Sequence, residues 1–218
     1  MIKILNISVA DYPFLLKNIP DPPKELFVLG DGDILSAKRV IAVVGTRKMT
    51  RYGQEITTKL TKELVEAGFV IVSGMALGVD GVAHQTAIDS GGKTIAVLGA
   101  GVDIIYPAQH RDLYNGILAH GGAIVSEVPP GKFVSREQFP ARNRIISGLS
   151  QAVLVTEGAI KSGGLITVRM ALEQGREVFA VPGPINSPMA EGTNYLIKQG
   201  ARLVTDVDDI LSELNLWI

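Results

Sequence analysis

Seven short runs of β-branched and aliphatic residues recur along the chain: RVIAVVG, FVIVSG, KTIAVLG, AIVSEV, AVLVTEG, EVFAVPG and ARLVT. Near-continuous apolar runs of this length predict strands buried on both faces of a parallel sheet. The segments between them carry apolar residues at i, i+3 and i+4 spacing. Ile56, Leu60, Leu64 and Val65 make one stripe, and Ile166, Met170 and Ala171 another; both predict amphipathic helices. Strand, turn and helix in alternation define an α/β protein with a doubly wound, mostly parallel sheet. The first 35 residues are punctuated by prolines and break the alternation, so they are expected to form an arm packed on the domain edge. The tail DVDDILSELNLWI predicts a short acidic helix that folds back through Ile210, Leu211, Leu214 and Trp217. Residues 36–205 hold no repeat, low-complexity tract or linker.

Composition narrows the function. The chain has 218 residues and a formal charge of -1, so global charge announces no polyanion. It has no cysteine, which removes disulfides, thiolate metal sites and cysteine nucleophiles together. No apolar run approaches the roughly 18 residues of a membrane helix, and the expected setting is the cytoplasm.

The charges are nevertheless sorted. Ligands of open parallel sheets bind beyond the carboxyl ends of the strands, and here those ends read GTRKMTRYG, SGMALGVDG, GAGVD, PPGKFVSREQFPARNR and SGGLIT. The first holds Arg47, Lys48 and Arg51 with no acid. Residues 132–169 carry six bases against Glu137 and Glu157, whereas Asp206, Asp208, Asp209 and Glu213 collect in the tail. Arg142 and Arg144 fall at the start of a predicted helix, where aligned peptide dipoles already leave positive charge. A phosphate-bearing ligand would supply the counter-charge. A scaffold ion pair of one arginine with Glu127 or Glu157 is the alternative. His84, His110 and His120 lack metal-ligand spacing and are expected at surfaces or helix ends, and Asp80 is expected to cap the helix after it.

Catalytic signatures are broken. GAIKSGG has P-loop spacing but places glycine and leucine where lysine and a hydroxyl residue belong. No nucleophile elbow occurs, and no acid and histidine cluster marks the loop edge. Neither cofactor nor metal is implied.

Taken in order, VVGTRKMTRYG, VSGMALGVDGVAH, AVLGAGVDIIYPAQHRDL, SEVPPG, FPARNRIISGLS, SGGLITVRMALEQGREVFAVPG and GTNYLIKQGA resemble the extended Rossmann-like core of the DNA processing protein A (DprA/Smf) family. The resemblance runs from about Tyr12 to Thr205. It implies a protein without catalytic residues that binds single-stranded DNA, protects incoming strands, and loads a RecA-type recombinase in natural transformation or recombination. Carried over by motif, Arg47, Ser73, Gly74, Arg136, Phe139, Arg142, Asn143 and Arg144 would form the DNA pocket. Lys48, Arg51, Ser162 and Gly163 on the same loops complete the candidate set. The resemblance also implies a homodimer with Leu172, Asn194, Ile197 and Leu203 at its interface. Beside that family, the chain is expected to be the core alone, with no N-terminal helical domain and no C-terminal winged helix. A second resemblance, to nucleoside monophosphate phosphoribohydrolases of the lysine-decarboxylase-like group, rests on FPARNR and SGGLITVR. That chemistry wants a carboxylate near the ribose, and the position it would occupy holds Arg169.

Overall fold

The structure, a computed structural model, describes residues 1–133 and 138–215, the side chains of 138–140 apart. The strands are β1 (Ile2–Asn6), β2 (Glu25–Gly30), β3 (Val40–Val44), β4 (Val70–Ser73), β5 (Thr94–Val97), β6 (Ala123–Ser126), β7 (Ala152–Val155), β8 (Glu177–Ala180) and β9 (Arg202–Leu203). The helices are α1 (Phe14–Lys17), α2 (Arg51–Glu66), α3 (Val79–Asp89), α4 (Arg111–Ala119), α5 (Gln138–Gly148), α6 (Gly163–Glu173), α7 (Glu191–Lys198) and α8 (Val207–Glu213). One sheet holds the strands in the order β1-β2-β6-β5-β4-β3-β7-β8-β9. All seven strands expected from the apolar runs are present, and β3 to β9 pair in parallel.

Winding begins at β3, proceeds outward through β4, β5 and β6, then returns to β3's other side with β7. The crevice beyond the ends of β3 and β7 is therefore the switch point, the place where such sheets leave room for a ligand. Successive residues of β3 serve opposite faces, as strand geometry requires. Val40, Ala42 and Val44 join a core with Ile145, Ile146, Val168 and Leu196. Ile41 and Val43 join one with Leu60, Leu64, Ile71, Phe179 and Ile210.

Two expectations need adjustment, and a third holds within the described residues. The first 35 residues contribute β1 and β2, which extend the sheet antiparallel to β6. The stripe on α6 is rotated: Gly164, Thr167, Val168 and Ala171 face inward, and Ile166 and Met170 are only half-buried. The tail helix α8 buries Ile210 and Leu211, Leu214 packs against the same core, and Trp217 lies outside the described residues.

Candidate nucleic-acid interface

Glycines set the spacing at the switch point. A Cβ on Gly45 would stand 2.5 Å from the Glu157 carbonyl oxygen and 2.6 Å from Val79, and one on Gly164 would stand 3.0 Å from the Gly45 Cα. Only residues without side chains let the N-terminus of α6 come this close to the end of β3. Glu157, buried at the end of β7, accepts from the Thr50 amide at 2.8 Å and the Thr50 hydroxyl at 2.5 Å. Thr50 in turn caps α2 by accepting from the Gly53 amide at 3.1 Å. Glu157 thus holds the loop carrying Arg47 and Lys48, and both of those side chains are exposed.

The loop after β4 is tied down by buried polar groups. The Ser73 hydroxyl donates to the Val43 carbonyl at 2.6 Å. Met75 has φ +62°, a left-handed conformation that costs a side-chain-bearing residue about 1–2 kcal/mol. His110 Nδ1 lies 2.9 Å from its carbonyl oxygen. Asp80 is inside α3 and buried, and it accepts from the Ala76 amide at 3.3 Å, so it braces this loop where an N-cap was expected. Burial pushes its pKa up, and the Arg142 guanidinium nearby pulls it back. His84, expected at a surface, is fully buried. Its Nδ1 is 2.7 Å from the Thr94 hydroxyl, whose own proton goes to the Ile71 carbonyl. Nδ1 must therefore be the protonated nitrogen. Burial lowers the His84 pKa to about 3.

The two arginines of α5 have separate fates. Arg144 forms a two-pronged pair with Glu127, both contacts 2.7 Å, and reaches Asp21 at 3.0 Å. Its counter-charge comes from the protein, the scaffold ion pair with Glu127 that the sequence left open beside a ligand phosphate. Arg142 is 5% exposed. Its Nη1 donates to the carbonyls of Gly74 (2.5 Å) and Val97, and its Nε donates to Asn143 Oδ1 at 3.2 Å. Burial lowers its pKa to about 10; Asp80 works against that fall and Arg47 adds to it.

Two adjoining clefts open along this edge, of about 520 and 550 Å³ with the open solvent at their mouths included. The first is mostly apolar, walled by Met75, Leu98, Ala100, Tyr106 and Pro107. The second lies at the switch point and is lined by Gly45, Asp80, Asn143, Gly163 and Thr167 among others. Arg47, Ala76 and Arg142 line both.

Of the residues nominated from sequence, Arg47, Gly74, Arg142, Asn143 and Gly163 are brought together here. Lys48 is exposed on the same loop. Arg51 pairs with Glu55 along α2 at 2.8 Å. Ser162 directs its hydroxyl toward Gly158, and Ser73 is inside the protein. Arg136 and the side chain of Phe139 lie outside the described residues. Sequence reasoning missed Thr167 and the apolar wall, because nothing in their spacing separates a cleft lining from an ordinary core.

The four interface candidates also gather in part. Asn194, Ile197 and Leu203 line one groove with Ile160, Ile185 and Tyr195. Leu172, 62% exposed, lines a neighbouring one. Asn194 spends its amide on the backbone of Gly183, at 3.2 and 3.0 Å.

Among the described residues no group of three or more acids, histidines or cysteines could hold a metal, and no helix is long and apolar enough to cross a membrane. A mostly parallel sheet with a basic, glycine-rich cleft at its switch point defines a Rossmann-like fold. The family model for DNA recombination-mediator protein A matches residues 3–215, and the chain belongs to that family. It is 48% identical over 213 residues to DNA processing protein DprA of Bacillus subtilis (strain 168), covering 98% of this chain and 71% of that one. It is 49% identical over 204 residues to Protein Smf of Escherichia coli (strain K12), covering 94% of this chain and 54% of that one. The chain thus spans about half the length of the latter relative. Among solved structures, DNA processing protein A from Helicobacter pylori, described for its single-stranded DNA binding mode, superposes with a TM-score of 0.87 at 31% identity, covering 99% of this chain and 96% of that one.

Proposed function

We propose that this chain binds single-stranded DNA along the loop edge beyond β3, β4, β5 and β7, as a cytoplasmic recombination mediator that shields strands and passes them to a RecA-type recombinase without chemistry of its own. One observation carries the reading: two adjoining clefts on the loop edge share Arg47 and Arg142, one with an apolar wall suited to bases and one, at the switch point, with donors suited to phosphates. The Helicobacter pylori relative, with its described strand-binding mode, supports it. Among the described residues no arrangement on this edge suits major-groove readout, so binding is expected to be largely independent of sequence. Arg169, at the position where phosphoribohydrolase chemistry would want a carboxylate, is exposed and 3.9 Å from Glu173, which disfavours the enzyme reading.

Fluorescence anisotropy with labelled oligonucleotides tests the reading. Affinity should fall with salt by about 0.7 logarithmic units per decade for each phosphate neutralised. Removing Arg47 or Lys48 should shallow the slope by about one phosphate's share. A flat response to salt would sink the electrostatic account.

A further inference from the structure

The switch-point cleft holds more donors than the fold uses. Thr167 is 2% exposed and lines that cleft, and its hydroxyl makes no hydrogen bond among the described residues. Asn143 is 8% exposed and lines it too. Its Oδ1 accepts from Arg142, while its Nδ2 has no partner among the described residues. Among these residues neither donor is spent on a protein partner, and both side chains line the open cleft, where they can meet an acceptor on a ligand. Arg142 adds Nη2, since its other nitrogens are directed to Gly74, Val97 and Asn143. The first amides of the eleven-residue helix α6, at Gly163 and Gly164, have no intrahelical acceptor and line the same cleft.

The number of donors identifies the acceptor. A phosphodiester within a strand offers two non-bridging oxygens and one charge. A phosphate monoester offers three and carries nearly two charges at neutral pH. Asp80 on the same cleft balances part of the Arg142 charge, and Arg47 adds a second positive charge at the mouth both clefts share. The apolar cleft next door is continuous with this one through Arg47, Ala76 and Arg142 and has Tyr106 in its wall.

We propose that the two clefts together seat one nucleotide through its base and a phosphate monoester, the base in the apolar cleft and the phosphate on Asn143, Thr167 and the first amides of α6. This deepens the strand-binding reading and rests on it, by naming the unit selected: a nucleotide with a terminal phosphate. Such a group occurs at a 5′-phosphorylated strand end or on a free mononucleotide, and the test separates the two.

A 3′-labelled oligothymidylate of about four nucleotides, with a 5′-phosphate or a 5′-hydroxyl, is titrated by anisotropy. Thymidine monophosphate and thymidine are titrated in parallel by calorimetry. The phosphorylated strand should bind about tenfold more tightly than its hydroxyl counterpart. Thymidine monophosphate binding where thymidine does not assigns the free nucleotide as a source as well, and it should be recovered unchanged. The isosteric Thr167→Val, and Asn143→Asp, which keeps the acceptor for Arg142 and replaces the amide donor with a carboxylate, should each bring the phosphate-to-hydroxyl ratio toward one. A thermal melt shows that each variant remains folded. Equal affinity for the two strands, with no binding of the monophosphate, overturns the proposal and leaves strand binding standing. Monophosphate binding with no strand bound overturns the strand reading and keeps the nucleotide site. Binding of neither overturns both.

Discussion

A buried guanidinium costs several kcal/mol unless its hydrogens meet acceptors, and Arg142 meets them in the carbonyls of Gly74 and Val97 and the amide oxygen of Asn143. Those carbonyls belong to the ends of β4 and β5, so one side chain ties α5 to two strand termini. Asp80 is buried close by and feels that charge. Arg142→Ala should therefore destabilise the protein by about 3–5 kcal/mol, since it leaves Asp80 as an uncompensated buried acid. Arg47 sits on the same clefts but is exposed, so whatever contact it makes is worth at most about 1 kcal/mol, and Arg47→Ala should cost far less stability than Arg142→Ala while weakening strand binding. Urea unfolding separates the two variants. An Arg142→Ala midpoint equal to the wild type would mean that the residue is not a brace. Sequence alone offers Glu127 as a partner for either of two arginines two positions apart; it cannot show that Arg144 takes it while Arg142 turns toward strand ends, because the partners are remote in the chain.

At the scale of elements, the apolar runs and the 3.6-residue stripes made β3 to β9 and the longer helices legible, since burial on both faces leaves little choice of residue type. β1 and β2 were not legible. β1 is an edge strand whose residues are mostly exposed or half-buried, and its antiparallel pairing with β2 and then β6 is a non-local arrangement that no local period announces. The face of α6 was misread for a related reason: glycine and threonine are not counted as apolar, yet Gly164 and Thr167 face inward where the helix meets β3. His84 on α3 shows the same blindness and carries a pH dependence. Its folded pKa of about 3 lies below the usual value for histidine, so the unfolded chain binds a proton that the native protein refuses. The resulting stability is fully present above about pH 6.5 and is lost as pH falls toward 3. It declines by about 1.4 kcal/mol per pH unit at most. Melting temperatures between pH 7 and pH 4 should fall in the wild type and fall less in His84→Asn, which can still donate to Thr94. Parallel curves would show that other groups govern the acid limb.

For the whole molecule, the sorted charge matters more than its sum. The loop edge carries the clefts, and the opposite sign gathers on α8, where Asp206 caps the helix and Arg202 is 2.9 Å from Glu213. Away from the clefts, beyond β8, the sheet ends in the two-residue strand β9, a short edge of the kind that limits unwanted pairing. Beside it lies the groove of Ile160, Ile185, Tyr195, Ile197 and Leu203, with Leu203 47% exposed. Apolar side chains clustered on one exposed edge are the usual mark of a partner surface, and the proposed partner is a second copy related by a two-fold axis. Such a particle would carry two loop edges, and a strand long enough to reach both would gain affinity by effective concentration, on the order of 10²-fold or more. Affinity should then rise sharply at one oligonucleotide length where a monomer would show only a gradual increase. The double change Ile197→Glu with Leu203→Arg places charges on the groove without touching the clefts. It should give a folded particle of half the mass by sedimentation, with short-strand affinity retained and the step at long strands gone. Wild-type protein that sediments as a monomer at micromolar concentration, with no length step, would remove the two-fold particle and leave each chain to bind its strand alone.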